Sequence, residues 1–110
     1  MSDLCFKDMQ DIQKELQEKY RDKWTPLSPE TGRNSLLWMI GEAGEAAEII
    51  KKCGDDEIMD MENKEVRHEF VEELCDIMMY FNDLMLCYSI TPEELKDVYL
   101  EKYRKNMNRW

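Results

Sequence analysis

Four acidic residues set out in two pairs are the part of this sequence best suited to chemistry. Glu42 and Glu45 stand three apart in IGEAGEAAEIIKKCG (residues 40–54), and Glu73 and Asp76 stand three apart in FVEELCDIMMYF (70–81). In a helix of ~3.6 residues per turn that spacing puts both members of a pair on one face. Glu48 extends the first row by one more step. Small and apolar residues flank both rows: Ala43, Ala46, Ala47, Ile49 and Ile50 beside the first, and Leu74, Ile77, Met78 and Phe81 beside the second. If the two helices pack on each other, four carboxylates converge, and burying even one unpaired charge is costly. Hard divalent ions take oxygen ligands, and magnesium uses a few carboxylates, waters and the oxygens of a bound phosphate. The expected occupant is therefore magnesium, with manganese as its substitute. A plainer arrangement, solvated glutamates in i,i+4 contact with lysines, is the usual state of such residues. Two pairs embedded in apolar runs favour the metal.

Four helices are expected to position these residues. The first spans roughly Leu4 to Trp24, with Phe6, Met9, Leu16 and Tyr20 near helical spacing and Ser2 or Asp3 as N-cap. Pro26, Pro29 and Gly32 then break the pattern. A second helix should start near Arg33 or Asn34 and carry Glu42 and Glu45 to a stop at Gly54, where Lys51 and Lys52 suit a helix C-terminus. The acidic DDEIMDMENK (55–64) reads as a loop. Helix three, about Lys64 to Tyr88, keeps Phe70, Leu74, Ile77, Phe81, Leu84 and Met85 on one stripe and is expected to be largely buried. Thr91 as N-cap, Pro92 at the first helical position and Glu94 in the capping-box position start a fourth helix running to about Met107. No segment alternates as a strand does. The expected fold is all-α, a four-helix bundle-like single domain over residues 1–110.

Composition narrows the partners. Asp plus Glu number 25 against 15 Lys plus Arg, a formal charge of −10. Nucleic acid and anionic membranes are bound chiefly through basic surface, so neither is expected as a main partner. A phosphorylated substrate remains compatible when cations stand between the two sets of negative charge. Cys5, Cys53, Cys75 and Cys87 show no C-x-x-C spacing and read as reduced core residues. The opening MSDLCFKDMQ lacks a basic segment followed by an apolar stretch, and no apolar run approaches the ~20 residues of a membrane span. A soluble, cytoplasmic chain is expected, in keeping with free thiols. A chain this short should share its apolar faces to enclose a ligand, which points to a homodimer or homotetramer.

Glu42-Ala-Gly-Glu45 followed by Glu73-Leu-Cys-Asp76 resembles the E-x-x-E and E-x-x-D pairs of the MazG-like, all-α nucleoside triphosphate pyrophosphohydrolases. GEAGEAAEII and EELCDIMMYF resemble the two acidic helices of that family, and the likeness in order and context extends from Arg33 to Leu86. The basic, asparagine-containing end EKYRKNMNRW is a less distinctive likeness. The resemblance implies hydrolysis of a nucleoside triphosphate between its α and β phosphates, giving the monophosphate and pyrophosphate, with a role in cleansing the nucleotide pool. It implies that Glu42, Glu45, Glu73 and Asp76 hold magnesium. Glu45 and Glu48 are both candidates for accepting the attacking water's proton. Lys51, Lys102, Arg104, Lys105 and Arg109 are candidate phosphate contacts, with Lys102 and Arg109 favoured because they flank Asn106. Each alone reads equally well as a solvated charge. Trp24, Trp38 and Tyr80 are candidates to face base or sugar, although Trp38, amid Leu36, Leu37 and Met39, is expected to be core. Asn34, two turns before Glu42, is placed to reach the same pocket.

Two other readings compete. Di-iron carboxylate bundles combine glutamates with two Glu-x-x-His units; this chain has one, Glu65-Val-Arg-His68, and no second histidine. An acidic helical interaction module without catalysis would explain the charge and the amphipathic helices. It leaves unexplained why the acids line the faces expected to pack.

Overall fold

The computed structural model describes residues 3–109, and these are all-helical, with no strand among them. Helix α1 is Phe6–Lys19, α2 is Gly32–Ile58, α3 is Glu65–Cys87 and α4 is Pro92–Met107, with a single 3-10 turn at Pro29–Thr31 ahead of α2. The all-α, four-helix architecture expected from the sequence is present. Among the described residues no helix is long and apolar enough to cross a membrane.

Helix α1 is shorter than its periodicity suggests. Its N-cap is Cys5, whose backbone N–H and thiol both donate to Asp8 Oδ2, at 3.2 and 3.1 Å. Asp3 lies ahead of the cap, and Ser2, the other expected cap, falls outside the described residues. After Lys19 the chain turns. Tyr20 stacks on Trp24 with ring centroids 4.8 Å apart, so Trp24 belongs to the turn and not to the helix.

Helix α2 begins where the 3-10 turn is pinned. Thr31 Oγ1 accepts from the Ser28 N–H at 3.0 Å and lies 3.7 Å from the Cys87 sulfur; Ser35 Oγ lies 3.8 Å from the same sulfur. These contacts fasten the start of α2 to the end of α3. Gly32 sits under the Tyr88 ring, which leaves no room there for a Cβ. The expected stop at Gly54 is a break and not an end: Gly54 has φ 82° and ψ 166°, and one more helical turn follows to Ile58. The acidic loop thus begins at Met59. Asp60 Oδ1 accepts from the Glu62 and Asn63 N–H groups at 2.9 and 3.0 Å, and Arg67 donates to the Ile58 carbonyl at 3.2 Å. A tight connection of this kind folds α3 back along α2.

The α2–α3 hairpin is the main packing unit, with α1 laid on α3. Phe6 meets Phe81 edge-on at 6.0 Å. Polar side chains share the seam with Met9 and Ile12. Gln10 Nε2 donates to the Ile90 carbonyl at 3.0 Å, Gln13 Nε2 donates to Asp83 Oδ1 at 2.8 Å, and Asn82 Nδ2 donates to the Met78 carbonyl at 2.9 Å. Gln10, Gln13, Ser35, Asn82 and Asp83 are buried, whereas Ala46, Met85 and Cys87 are the buried hydrophobic residues.

Three expectations about the interior are corrected by this arrangement. Helix α3 is not largely buried: Val71, Leu74, Met78 and Met79 are exposed. Trp38 is not core, being half exposed as are Leu37 and Ile40 beside it. Of the cysteines only Cys87 is buried, while Cys5 and Cys75 are exposed and Cys53 is half-buried. The common reason is that a single α2–α3 hairpin has two outer faces and too few helices to cover them.

Helix α4 is capped as expected, Thr91 Oγ1 accepting from the Glu94 N–H at 3.1 Å. It has no buried residue and projects from the hairpin. The radius of gyration is accordingly 16.5 Å, where a compact chain of this length would have about 13 Å.

The Gly54 conformation is one that essentially only glycine adopts. Gly54→Ala is expected to cost about 1–3 kcal/mol, measured as a lower chemical-denaturation midpoint with an unchanged slope.

Candidate functional site

Glu42 projects from the middle of α2 toward α3, where Glu73 and Asp76 lie one turn apart. One carboxylate oxygen from each of the three lies within 4.8 Å of the others. Such a convergence follows from local sequence: the i, i+3 step on α3 aligns Glu73 with Asp76, and Ala46, buried one turn beyond Glu42, has no side chain bulky enough to hold the helices apart. Glu42 Oε2 and Glu73 Oε2 are each enclosed and accept no hydrogen bond.

Like charges this close resist ionising together. The Glu42 carboxyl is pushed up to about 7, first by its hydrogen-bonding approach to Glu73, then by burial, and then by Glu45. The Tyr80 hydroxyl is pushed above its ordinary range by burial and by the charges of Glu42 and Asp76. The cluster thus acts as a concentrated negative centre that holds a proton when nothing positive is near. Its donor set, carboxylate oxygens alone with two of them lacking any partner, fits a hard divalent cation.

A cavity of about 460 Å³ opens beside the cluster. Glu42 and Asp76 form part of its wall, as do Tyr80 and Trp38, whose rings meet at 5.8 Å. Trp24 contributes a third aromatic surface and Lys23 a cation. At its other end are Thr31, Ser35, Gln13 and Asp83. The antiparallel course of α2 and α3 explains this layout. Ser35 precedes Glu42 by seven residues and Asp83 follows Asp76 by seven, so each helix offers the cavity two positions on the same face, about 10 Å apart.

The other sequence candidates fall in different places. Glu45 lies beside Glu42 closely enough to raise its pKa but is not one of the three converging ligands. Glu48 is exposed and pairs with Lys52 at 3.6 Å. Asn34 and Lys51 are exposed and are not part of the cavity wall. Lys102, Asn106 and Arg109 line a separate open hollow at the end of α4, together with Arg104 and Lys105. Within one chain these α4 residues therefore do not join the acidic cluster. His68 pairs with Glu72 at 3.0 Å on the exposed side of α3, away from the converging carboxylates. That leaves the Glu65-x-x-His68 unit without the geometry of a di-iron ligand.

Gln13, Ser35 and Asp83 were not among the sequence candidates. A signal for them exists: Phe6, Gln10 and Gln13 share one face of α1 by their i, i+4, i+7 spacing, so two amides sit where an apolar stripe should continue. Asn82-Asp83 likewise interrupts the apolar run of α3. Polar residues on a packing face need partners, and here they find each other.

No protein-family model, curated protein or solved structure matches the chain.

The raised Glu42 carboxyl makes stability depend on pH. In the unfolded chain this group ionises near 4.5, whereas in the fold it keeps its proton to about 7. Between those values the native state binds more protons, so stability falls as pH rises through that window. In chelator, the melting temperature of the wild-type protein is expected to decline from pH 4.5 to pH 7 more than that of Glu42→Gln. Parallel profiles for the two proteins would refute the assignment.

Proposed function

We propose that this protein is a MazG-like, magnesium-dependent nucleoside triphosphate pyrophosphohydrolase, releasing pyrophosphate and the nucleoside monophosphate. The observation that carries the reading is the convergence of Glu42, Glu73 and Asp76, with two enclosed oxygens unpartnered, at one end of an aromatic-lined cavity of about 460 Å³. A solvated acidic face would leave its oxygens in water, and a structural network would pair them. The interaction-module reading leaves the convergence of these three carboxylates unexplained.

In this reading Glu42, Glu73 and Asp76 hold the metal and Glu45 completes the set from the edge. Bound magnesium neutralises triphosphate oxygens and makes water a stronger nucleophile at neutral pH. The chain's own residues do the rest. Glu42 retains a proton to about 7 and would give it up on binding a cation, so its charge becomes available as pH rises through neutrality. Glu45, three residues on and at the rim of the cluster, is the better placed of the two candidate bases; Glu48 is held by Lys52. Trp38 and Tyr80 offer ring faces to the sugar or base, and Lys23 is a cation on the cavity wall itself.

The exposed apolar residues of α2 and α3, with Val98, Tyr99, Leu100 and Tyr103 of the unpacked α4, support assembly into a homodimer or homotetramer. Association would cover these faces and bring the basic end of α4 against a neighbouring chain. Lys102, Asn106 and Arg109 would then serve as phosphate contacts in trans.

Two experiments test these statements. Pyrophosphate release from a panel of nucleoside triphosphates is expected with magnesium and not with chelator, and Glu73→Gln is expected to lower the rate by about a hundredfold or more while leaving the helical circular dichroism unchanged. An undiminished rate in that variant would remove the assigned site. Sedimentation at micromolar concentration is expected to give a dimer or tetramer; a monomer would rule out the shared arrangement.

A further inference from the structure

We propose that the Gln13–Asp83 pair, two helical turns along the cavity from the carboxylate cluster, reads the base of the bound nucleotide and selects one carrying an exocyclic amino group. This rests on the nucleotide reading of the cavity given above. The spacing comes from the hairpin itself: Asp76 and Asp83 share a face of α3 about 10 Å apart, and both line the cavity with Trp38 and Tyr80 between them and Glu42. A nucleotide with its phosphates at Glu42 and Asp76 has its base at the far end, where Gln13, Ser35 and Asp83 are buried.

The chemistry of that end is one of accepting hydrogen bonds. Gln13 Nε2 donates to Asp83 Oδ1 at 2.8 Å, which fixes the carboxyl plane; burial pushes the carboxyl above its ordinary value, and the Gln13 hydrogen bond offsets part of that rise. Asp83 Oδ2 accepts from no described residue. An ionised carboxylate can only accept, so a base amino group satisfies Oδ2, while a base carbonyl in the same place sets two acceptors against each other. Carboxylates accept from the cytosine amino group in this way. Asp83 is only 7 % exposed, so few waters can stand in for a missing donor, and a base without the amino group is bound less well.

Deoxycytidine and deoxyuridine monophosphates differ on that edge and nearly nowhere else, and Trp24 and Trp38 in the cavity wall report binding by fluorescence. The wild-type protein is expected to bind the cytidine nucleotide at least about tenfold more tightly. In Asp83→Asn, Gln13 Nε2 holds the amide oxygen on its own side, the amide nitrogen turns to the cavity as a donor, and the ratio is expected to fall to about one or to invert. A pair that only ties α1 to α3 would weaken both ligands alike and leave the ratio alone. Equal wild-type binding, or an unchanged ratio in a folded variant, overturns the proposal, and the wild-type ratio decides by itself if the variant does not fold. Selective monophosphate binding with no triphosphate cleaved would overturn the hydrolase reading and leave the base assignment standing; magnesium-dependent cleavage with equal binding of the two would do the reverse.

Discussion

Mutual repulsion among Glu42, Glu73 and Asp76 is the constraint around which the molecule is built. Three carboxylate oxygens within 4.8 Å are tolerated because the α2–α3 hairpin holds their backbones in place: the Thr31 and Ser35 contacts to Cys87 at one end and the Asp60-capped connection at the other. Between these two fastenings the helices have little freedom to relieve the charge by sliding. The system responds chemically instead, by keeping a proton on Glu42 to about 7. Fixed backbone with unsatisfied oxygens is what a preorganised cation site requires, since the cost of assembling the ligands has been met in folding.

The interior shows a related inversion. Gln10, Gln13, Ser35, Asn82 and Asp83 are buried while Leu37, Trp38, Ile40 and Leu74 are not. Polar groups inside a seam need hydrogen bonds to be stable there; the Gln13–Asp83 and Gln10–Ile90 bonds meet that demand, while Asn82 Oδ1 has no partner among the described residues. They also fix how α1 lies on α3, because a hydrogen bond has a direction and an apolar contact does not. The apolar residues left outside, and an α4 with no buried residue, describe a chain whose hydrophobic surface exceeds what its own helices can cover. Shared burial with further copies is the proposed use of that surface.

Cavity and cluster form one device in the proposed reading. The carboxylate end is selective for what cations hold, the polar end for what an acceptor recognises, and the aromatic faces of Trp38 and Tyr80 lie along the way. Both ends lie on the same pair of helices, so the distance between them is set by helical rise and does not depend on loops. The charge balance of −10 suits this arrangement only if metal accompanies the phosphates.

Helical class, the number of helices, the Thr91 cap and the facing of Glu73 with Asp76 were legible in the sequence, because each depends on residues within one or two turns. Helix ends were less so: Cys5 capped α1 through Asp8, and Gly54 broke α2 without ending it, since local signals compete with the packing that follows. What only tertiary structure decided was which carboxylates meet. Glu42 joins Glu73 and Asp76 while Glu45 stays at the rim, a choice made by the rotation of α2 against α3. The same rotation put Trp38 at a cavity and not in a core, paired Gln13 with Asp83 across seventy residues, and left Lys102 and Arg109 outside the pocket. Periodicity tells which residues share a face of a helix; which face meets which neighbour is settled by long-range contacts that no local spacing encodes.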